Sequence, residues 1–345
     1  MNTVTDKPTL LNTEQIVQDI LNSIERERER EIIARRFGLF DRKETLEQIG
    51  ELLGITRERV RQLEKVVVTK LRETSLDLPH ITEVENTLLV TLEGAGQAAR
   101  VTKLASQLTA ENTRTDQSRV AFLTELCPRV SVIGEDDHFF QSAGVAKVHD
   151  TAKLKKEVAA IVAAIKTAGK PVDTKEMTKL AAMPSEDYAA ALASTSKQLA
   201  TLNGRWGLVK WPTVNPKNIR DKIYVILSEN KKHMHFNEIA EAIKESDFKR
   251  KDVTTQAIHN ELIKDKRFVL IGRGIYALKE WGYSKGTVAD IIADVLRDAK
   301  EPLHRDEIVK RVLKSRFVKE TTILLNLQSK PQFKRVAKAT YELAE

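Results

Sequence analysis

The residues best suited to do chemistry lie in Thr56-Arg-Glu-Arg-Val-Arg-Gln-Leu-Glu64, a stretch that continues through Lys65 to Lys70-Leu-Arg72. Arg, Glu and Gln end in forks or paired polar atoms that match the edges of base pairs exposed in a DNA major groove. On a helix, at about 100° per residue, Val60, Leu63, Val67 and Leu71 fall on one side. Glu58, Arg61, Gln62, Lys65, Thr69 and Arg72 fall on the other, with Arg57 and Arg59 flanking them at the helix start. A merely solvated face would more often carry mixed Glu/Lys pairs. This one is suited to contact base edges.

Such a helix needs a partner to aim it, and the preceding residues supply one. Thr45 with Gln48 spells a capping box, and Leu46, Ile49, Leu52 and Leu53 give the buried side of a short helix. Gly54 stops that helix and Thr56 caps the next, which is expected to run to about Arg72. Two helices joined by so short a Gly-containing turn make a helix-turn-helix, in which Val60, Leu63, Val67 and Leu71 should pack on the first helix. Upstream, Asn12…Gln15 should open an amphipathic helix carrying Ile16, Ile20 and Ile24. Glu25 to Glu31 alternates Glu and Arg as a solvated face does.

After Pro79 the chain repeats itself with a period of roughly 62 to 71 residues. Each unit shows an apolar helix, a short apolar–cap–helix segment, a third helix and then a hairpin. The second elements begin near Val101, Val172, Phe236 and Leu303, and the hairpins run through Val130–Phe140, Leu199–Val209, Phe268–Leu278 and Phe333–Leu343. Each hairpin should carry an aromatic on its returning strand: Phe139 or Phe140, Trp206, Tyr276 and Tyr341. Three helices and a hairpin give the order of a winged helix. The expected architecture is therefore mainly α: a helix-turn-helix domain (1–79) followed by winged-helix units at 80–148, 149–216, 217–283 and 284–345.

Charge is unevenly spread along this array. Residues 1–75 hold 14 Lys/Arg and 14 Asp/Glu, whereas residues 217–345 hold 27 against 19, net +8. A basic half suits nucleic acid. Candidate secondary DNA contacts are Lys249, Arg250, Lys251 and Arg273 in the third winged unit. In the fourth they are Arg316 and Lys319 near the third helix and Lys338 in the hairpin, beside Lys314, Lys334 and Arg335. The alternative is that these cations only solvate a surface.

Residues 26–72 resemble region 4 of the housekeeping-type bacterial sigma factors. Thr45-Leu-Glu-Gln-Ile-Gly50 and Thr56–Glu64 match the region 4.2 pattern, and Arg35-Arg36-Phe37-Gly38-Leu39 matches the join that precedes it. The resemblance implies a helix placed in the major groove of a −35 promoter element and a domain that docks on the β flap of RNA polymerase. It assigns base reading and groove lining to Arg57, Glu58, Arg61 and Gln62, and phosphate contacts that position the helix to Thr45, Arg59 and Lys65, in agreement with the angular argument. Residues 218–281 and 286–345 are similar, less specifically, to the HARE-HTH module of the polymerase delta subunit. That likeness rests on Ile271-Gly-Arg-Gly-Ile-Tyr-Ala-Leu278 and Val336-Ala-Lys-Ala-Thr-Tyr-Glu-Leu343. Ala337 and Ala339 replace the glycines in the second copy and should tighten or distort its hairpin.

A sigma factor also needs an aromatic-rich region 2, yet residues 1–25 contain no Trp or Tyr, so a stand-alone initiating factor is not expected. Cys127 is the sole cysteine, which excludes intrachain disulfides and cysteine-based zinc sites. His233 and His235 lack further ligands at suitable spacing, and Gly272-Arg-Gly274 is a hairpin turn, not a phosphate loop. The longest apolar run, Val158–Ile165, is too short for a bilayer, and Asp6-Lys-Pro8 interrupts any signal-peptide core. The expectation is a cytoplasmic, nucleoid-associated, non-enzymatic DNA-binding transcription protein without cofactor. Its partners would be duplex DNA and RNA polymerase, with no membrane and no small-molecule substrate. The alternatives are a docking protein that occupies the β flap, or the targeting subunit of a nucleic-acid enzyme.

Overall fold

The computed structural model describes residues 10–248, 252–283 and 286–344. The chain divides into two compact units, Met1–Lys210 and Trp211–Glu345.

The first unit opens with α1 (Thr13–Asn22), whose first turn is capped by the Asn12 side chain accepting from Gln15 N–H. Ile16, Ile20 and Ile24 are buried as the periodicity requires. α2 (Glu27–Phe37) ends where Gly38 takes a left-handed φ of 67°. α3 (Leu46–Leu53) carries the full Thr45/Gln48 capping box and ends at Gly54, also left-handed. α4 (Arg57–Glu73) starts with Thr56 accepting from Arg59 N–H. Gly50 is what lets α3 and α4 approach: a Cβ there would lie 2.6 Å from the Ile55 carbonyl oxygen.

The apolar side of the helix-turn-helix divides between two cores. Ile32, Ile49 and Val60 form a small closed cluster, flanked by Leu46, Leu53, Ile55 and Leu63. Val67 and Leu71 do not pack on α3 as expected. They belong to a larger cluster that runs from Leu11 to Val145, because 17 residues carry α4 well past the eight of α3. Leu52, expected inside, is 55% exposed.

Past Pro79 the chain continues as α5 (Ile81–Gly94), β1 (Ala98–Arg100), α6 (Val101–Leu108), α7 (Arg114–Leu126), β2 (Val130–Ile133) and β3 (Ser142–Val145). The same order recurs in α8 (Thr151–Ala168), β4 (Val172–Asp173), α9 (Thr174–Leu180), α10 (Glu186–Thr195), β5 (Leu199–Leu202) and β6 (Arg205–Leu208). The second compact unit repeats it twice. The first copy is α11 (Ile219–Asn230), β7 (Met234–His235), α12 (Phe236–Glu245), α13 (Thr255–Lys264), β8 (Phe268–Gly272) and β9 (Ile275–Leu278). The second is α14 (Val288–Ala299), β10 (Leu303–His304), α15 (Arg305–Ser315), α16 (Glu320–Ser329), β11 (Phe333–Ala337) and β12 (Thr340–Leu343).

Each repeat holds a three-stranded antiparallel sheet in which the last strand is central. The expected hairpin thus gains a short strand ahead of its second helix, too short to leave an alternating pattern. The repeats agree residue by residue: Val172 pairs with Trp206, Met234 with Tyr276 and Leu303 with Tyr341. All three aromatics are buried on the returning strand.

The repeat at 80–148 departs from that pattern. Its returning strand is Ser142–Val145, not a segment through Phe139 and Phe140, and Ala143 there faces Ala99. The Asp136 carboxylate accepts from His138 N–H and Phe139 N–H, turning the chain early, and Phe139 pairs with Ser196 instead. In the last repeat Ala339 takes φ 56°, the conformation that Gly274 supplies in the preceding one. The expected distortion is thus a left-handed alanine. No helix among the described residues is long and apolar enough to cross a membrane.

Candidate nucleic-acid interface

Arg57, Glu58, Arg59, Arg61, Gln62 and Lys65 are all exposed along one side of α4, and Thr45 is exposed at the start of α3. The hydroxyl of Thr45 accepts from Gln48 N–H at 3.2 Å and so fixes the entry to α3. Without a partner the polar face is internally organised. Arg61 Nε donates to both carboxylate oxygens of Glu58, at 3.2 and 3.0 Å, and Nη2 donates to Oε1 at 2.7 Å. Arg59 Nη1 donates to Gln62 Oε1 at 3.4 Å. The hydrogen bonds from Arg61 hold the Glu58 carboxyl below the usual carboxylate range, so this carboxylate stays an acceptor. These i,i+3 pairs orient side chains that can exchange each other for base edges at little conformational cost.

Arg72 does not belong to this face. Its Nε donates to the Glu125 carbonyl at 2.8 Å, and it pairs with the Glu125 carboxylate, which ties the end of α4 to α7. Other arginines set the angle of the motif. Arg36 Nε donates to Glu64 on α4 at 3.1 Å, and Arg35 bridges Glu31 and Glu44 at 3.0 and 2.8 Å. Arg28 Nη2 donates to the Leu53 carbonyl at 2.5 Å. Sequence reading missed these positioning roles. The available signal was Arg35-Arg36 just ahead of the Gly38 break, with Glu44 and Glu64 beyond it.

Behind the face, α7 closes the motif. Phe122 meets Phe37 edge-on at 5.0 Å, and the buried Arg119 donates to the Leu39 carbonyl at 2.8 Å and to Glu14 at 2.8 Å. α7 and α10 are therefore covered over most of their length: Val120–Thr124 are buried in the first, and Ala191–Ala193 in the second. Neither is free to enter a groove.

In the second compact unit Arg273 and Lys338 are exposed at the two hairpin turns, and Lys319 is exposed at the start of α16. Lys314, Lys334 and Arg335 are exposed as well. Arg316 is not presented as expected. Its Nη1 donates to the Leu270 carbonyl at 3.2 Å and to the Gly286 carbonyl at 2.5 Å, and burial lowers its pKa. It joins two successive repeats. Lys249, Arg250 and Lys251 lie outside the described residues. The imidazole of His235 caps α12 and that of His233 lies 4.5 Å from the Phe317 ring, so each has a structural task. The Cys127 thiol is buried and pushed up to about 12 by desolvation, which leaves it unreactive.

Sequence comparison defines the class of the motif. The family described as Sigma-70, region 4 matches residues 26–73, so the helix-turn-helix built by α2, α3 and α4 is similar to sigma region 4. Among curated relatives, the RNA polymerase sigma factor SigA of Bacillus sp is 45% identical over 60 residues. That match covers 17% of this chain and 16% of the relative, so the chain shares about a sixth of that protein's length.

Proposed function

We propose that this protein is a sequence-specific DNA-binding transcription protein that places α4 in the major groove of a −35-type promoter element and associates with bacterial RNA polymerase through the β flap. The observation that carries this reading is the exposed polar face of Arg57, Glu58, Arg59, Arg61, Gln62 and Lys65, in which Arg61 pairs with Glu58 and Arg59 with Gln62, lying within the residues matched to sigma region 4. Arg61 and Gln62 would exchange their i,i+3 partners for base edges, while Thr45, Arg59 and Lys65 hold the backbone. The four repeats would be winged-helix modules, of HARE-HTH type in the last two. Their exposed hairpin cations Arg273 and Lys338, with Lys319, would supply phosphate contacts. The role is non-catalytic and belongs to the cytoplasm and nucleoid.

A second reading, a docking protein on the β flap with DNA secondary, draws on the burial of α7 and α10 and on the balanced charge of residues 1–75. Selection of duplexes from a random pool by the full-length chain separates the two. The first reading expects an enriched motif; a pool that stays random refutes base reading and leaves the docking role.

A further inference from the structure

Only some cations of the first compact unit are paired with carboxylates. Arg35, Arg36, Arg61, Arg119 and Arg129 each hold a carboxylate. Among the described residues Arg42, Lys43 and Arg114 hold none, and all three border one cavity of about 660 Å³. Its walls are the loop joining α2 to α3, the first turns of α6 and α7, and the segment linking β2 to β3.

The lining is arranged for an anion. Glu135 reaches the cavity but is neutralised by Lys197 at 2.8 Å, which leaves Asp41 as the one lining carboxylate without an ion pair among the described residues. Thr102, Thr115 and Ser118 add hydroxyl donors. At the start of α6 the Arg100 side chain makes no capping bond, and the Val101 N–H donates to the Gln141 carbonyl at 2.9 Å, which fixes the β2–β3 segment against the cavity wall. Phe40, 42% exposed, stands at the rim as an unclosed apolar surface.

We propose that this cavity is a phosphate-binding site between the helix-turn-helix and the repeat that follows it. Its volume suits a small ligand. A nucleoside diphosphate would set its phosphates against Arg42, Lys43 and Arg114 and its base on Phe40. The same phosphate chemistry is available from a DNA backbone, because Lys43 lies two residues before Thr45. That second source alone rests on the function proposed above.

The test uses the full-length chain and calorimetric titration with ADP, inorganic pyrophosphate and the enriched duplex. Arg42 and Arg114 are exposed, so the double variant Arg42→Gln/Arg114→Gln should keep the wild-type circular dichroism and melting profile. If the source is a free nucleotide, wild type binds ADP and the double variant binds it at least about tenfold more weakly. In that case Arg61→Ala leaves ADP binding unchanged. If the source is the DNA backbone, ADP gives no heat and the double variant loses duplex affinity about equally for every sequence, with a shallower salt dependence. A duplex that wild type does not select would sink the proposed function while leaving the ADP result to stand. The site is overturned if the double variant matches wild type for ADP, pyrophosphate and duplex alike.

Discussion

Truncating Phe122 to alanine tests whether the helix-turn-helix and the repeat at 80–148 are one folding unit. Phe122 is fully buried on α7, its ring 5.0 Å from Phe37 of α2, and both belong to the cluster that also takes Val67 and Leu71 from α4. Removing a fully buried Phe side chain costs about 3–5 kcal/mol through lost transfer energy and the cavity left behind. That is a large share of the roughly 5–15 kcal/mol that holds a typical domain folded. The assay is native-state hydrogen exchange on the full-length Phe122→Ala protein. If the core is shared, the amides of α4 and α7 lose protection together, by about a hundredfold or more. Loss confined to α5–α7, with α3 and α4 still at wild-type protection, would refute the shared core. By the same reasoning a fragment ending at Pro79 exposes Ile33, Val67 and Leu71 and should be unstable on its own.

Four further outcomes follow from particular residues. Gly50→Ala should destabilise the helix-turn-helix by more than about 1 kcal/mol, since its Cβ would meet the Ile55 carbonyl at 2.6 Å; a wild-type urea midpoint would contradict this. Ala339→Gly should stabilise the last repeat by about 1 kcal/mol, because it relieves a left-handed alanine. An unchanged or lowered melting temperature would show the turn to be unstrained. Burial depresses the pKa of His149, which stacks on Tyr188 at 5.0 Å with Glu157 at 3.4 Å partly opposing the shift. The unfolded chain then takes up the proton first, so stability should fall as pH drops below about 6.5 towards the lower folded value. In His149→Phe the difference in urea midpoint between pH 7 and pH 5 should shrink, and an equal difference would sink the linkage. An isolated β flap should retain the full-length chain and lose it to a competing sigma region 4, whereas no retention would remove the polymerase contact.

Much of the site could be read from sequence because helix signals are local. Thr45 with Gln48, Gly54 and Thr56 marked both ends of the turn, and the 3.6-residue period separated Val60 from Arg61 and Gln62. What escaped depends on residues distant in the chain. Nothing near Val67 or Leu71 announces that α7, some fifty residues on, takes them from α3. Arg72 and Arg316 look like groove cations until Glu125, Leu270 and Gly286 come into reach. The strands at Val172, Met234 and Leu303 are two residues long and exist only through their pairing with Trp206, Tyr276 and Tyr341. Phe139 and Phe140 look like a returning strand by their apolarity, but the Asp136 side chain makes a turn just ahead of them.

The central claim is that the exposed face of α4 reads bases. Its most direct test compares the affinity of the full-length chain for its selected duplex with that for a scrambled duplex, in wild type and in Arg61→Ala/Gln62→Ala. Both side chains are exposed, and their partners Glu58 and Arg59 remain solvated, so folding should be unaffected. Each lost bidentate contact should remove about 1–3 kcal/mol of discrimination, bringing the two duplexes close to equal affinity while scrambled-duplex binding stays near its wild-type value. A double variant that still prefers the selected duplex by the wild-type ratio would contradict base reading by α4.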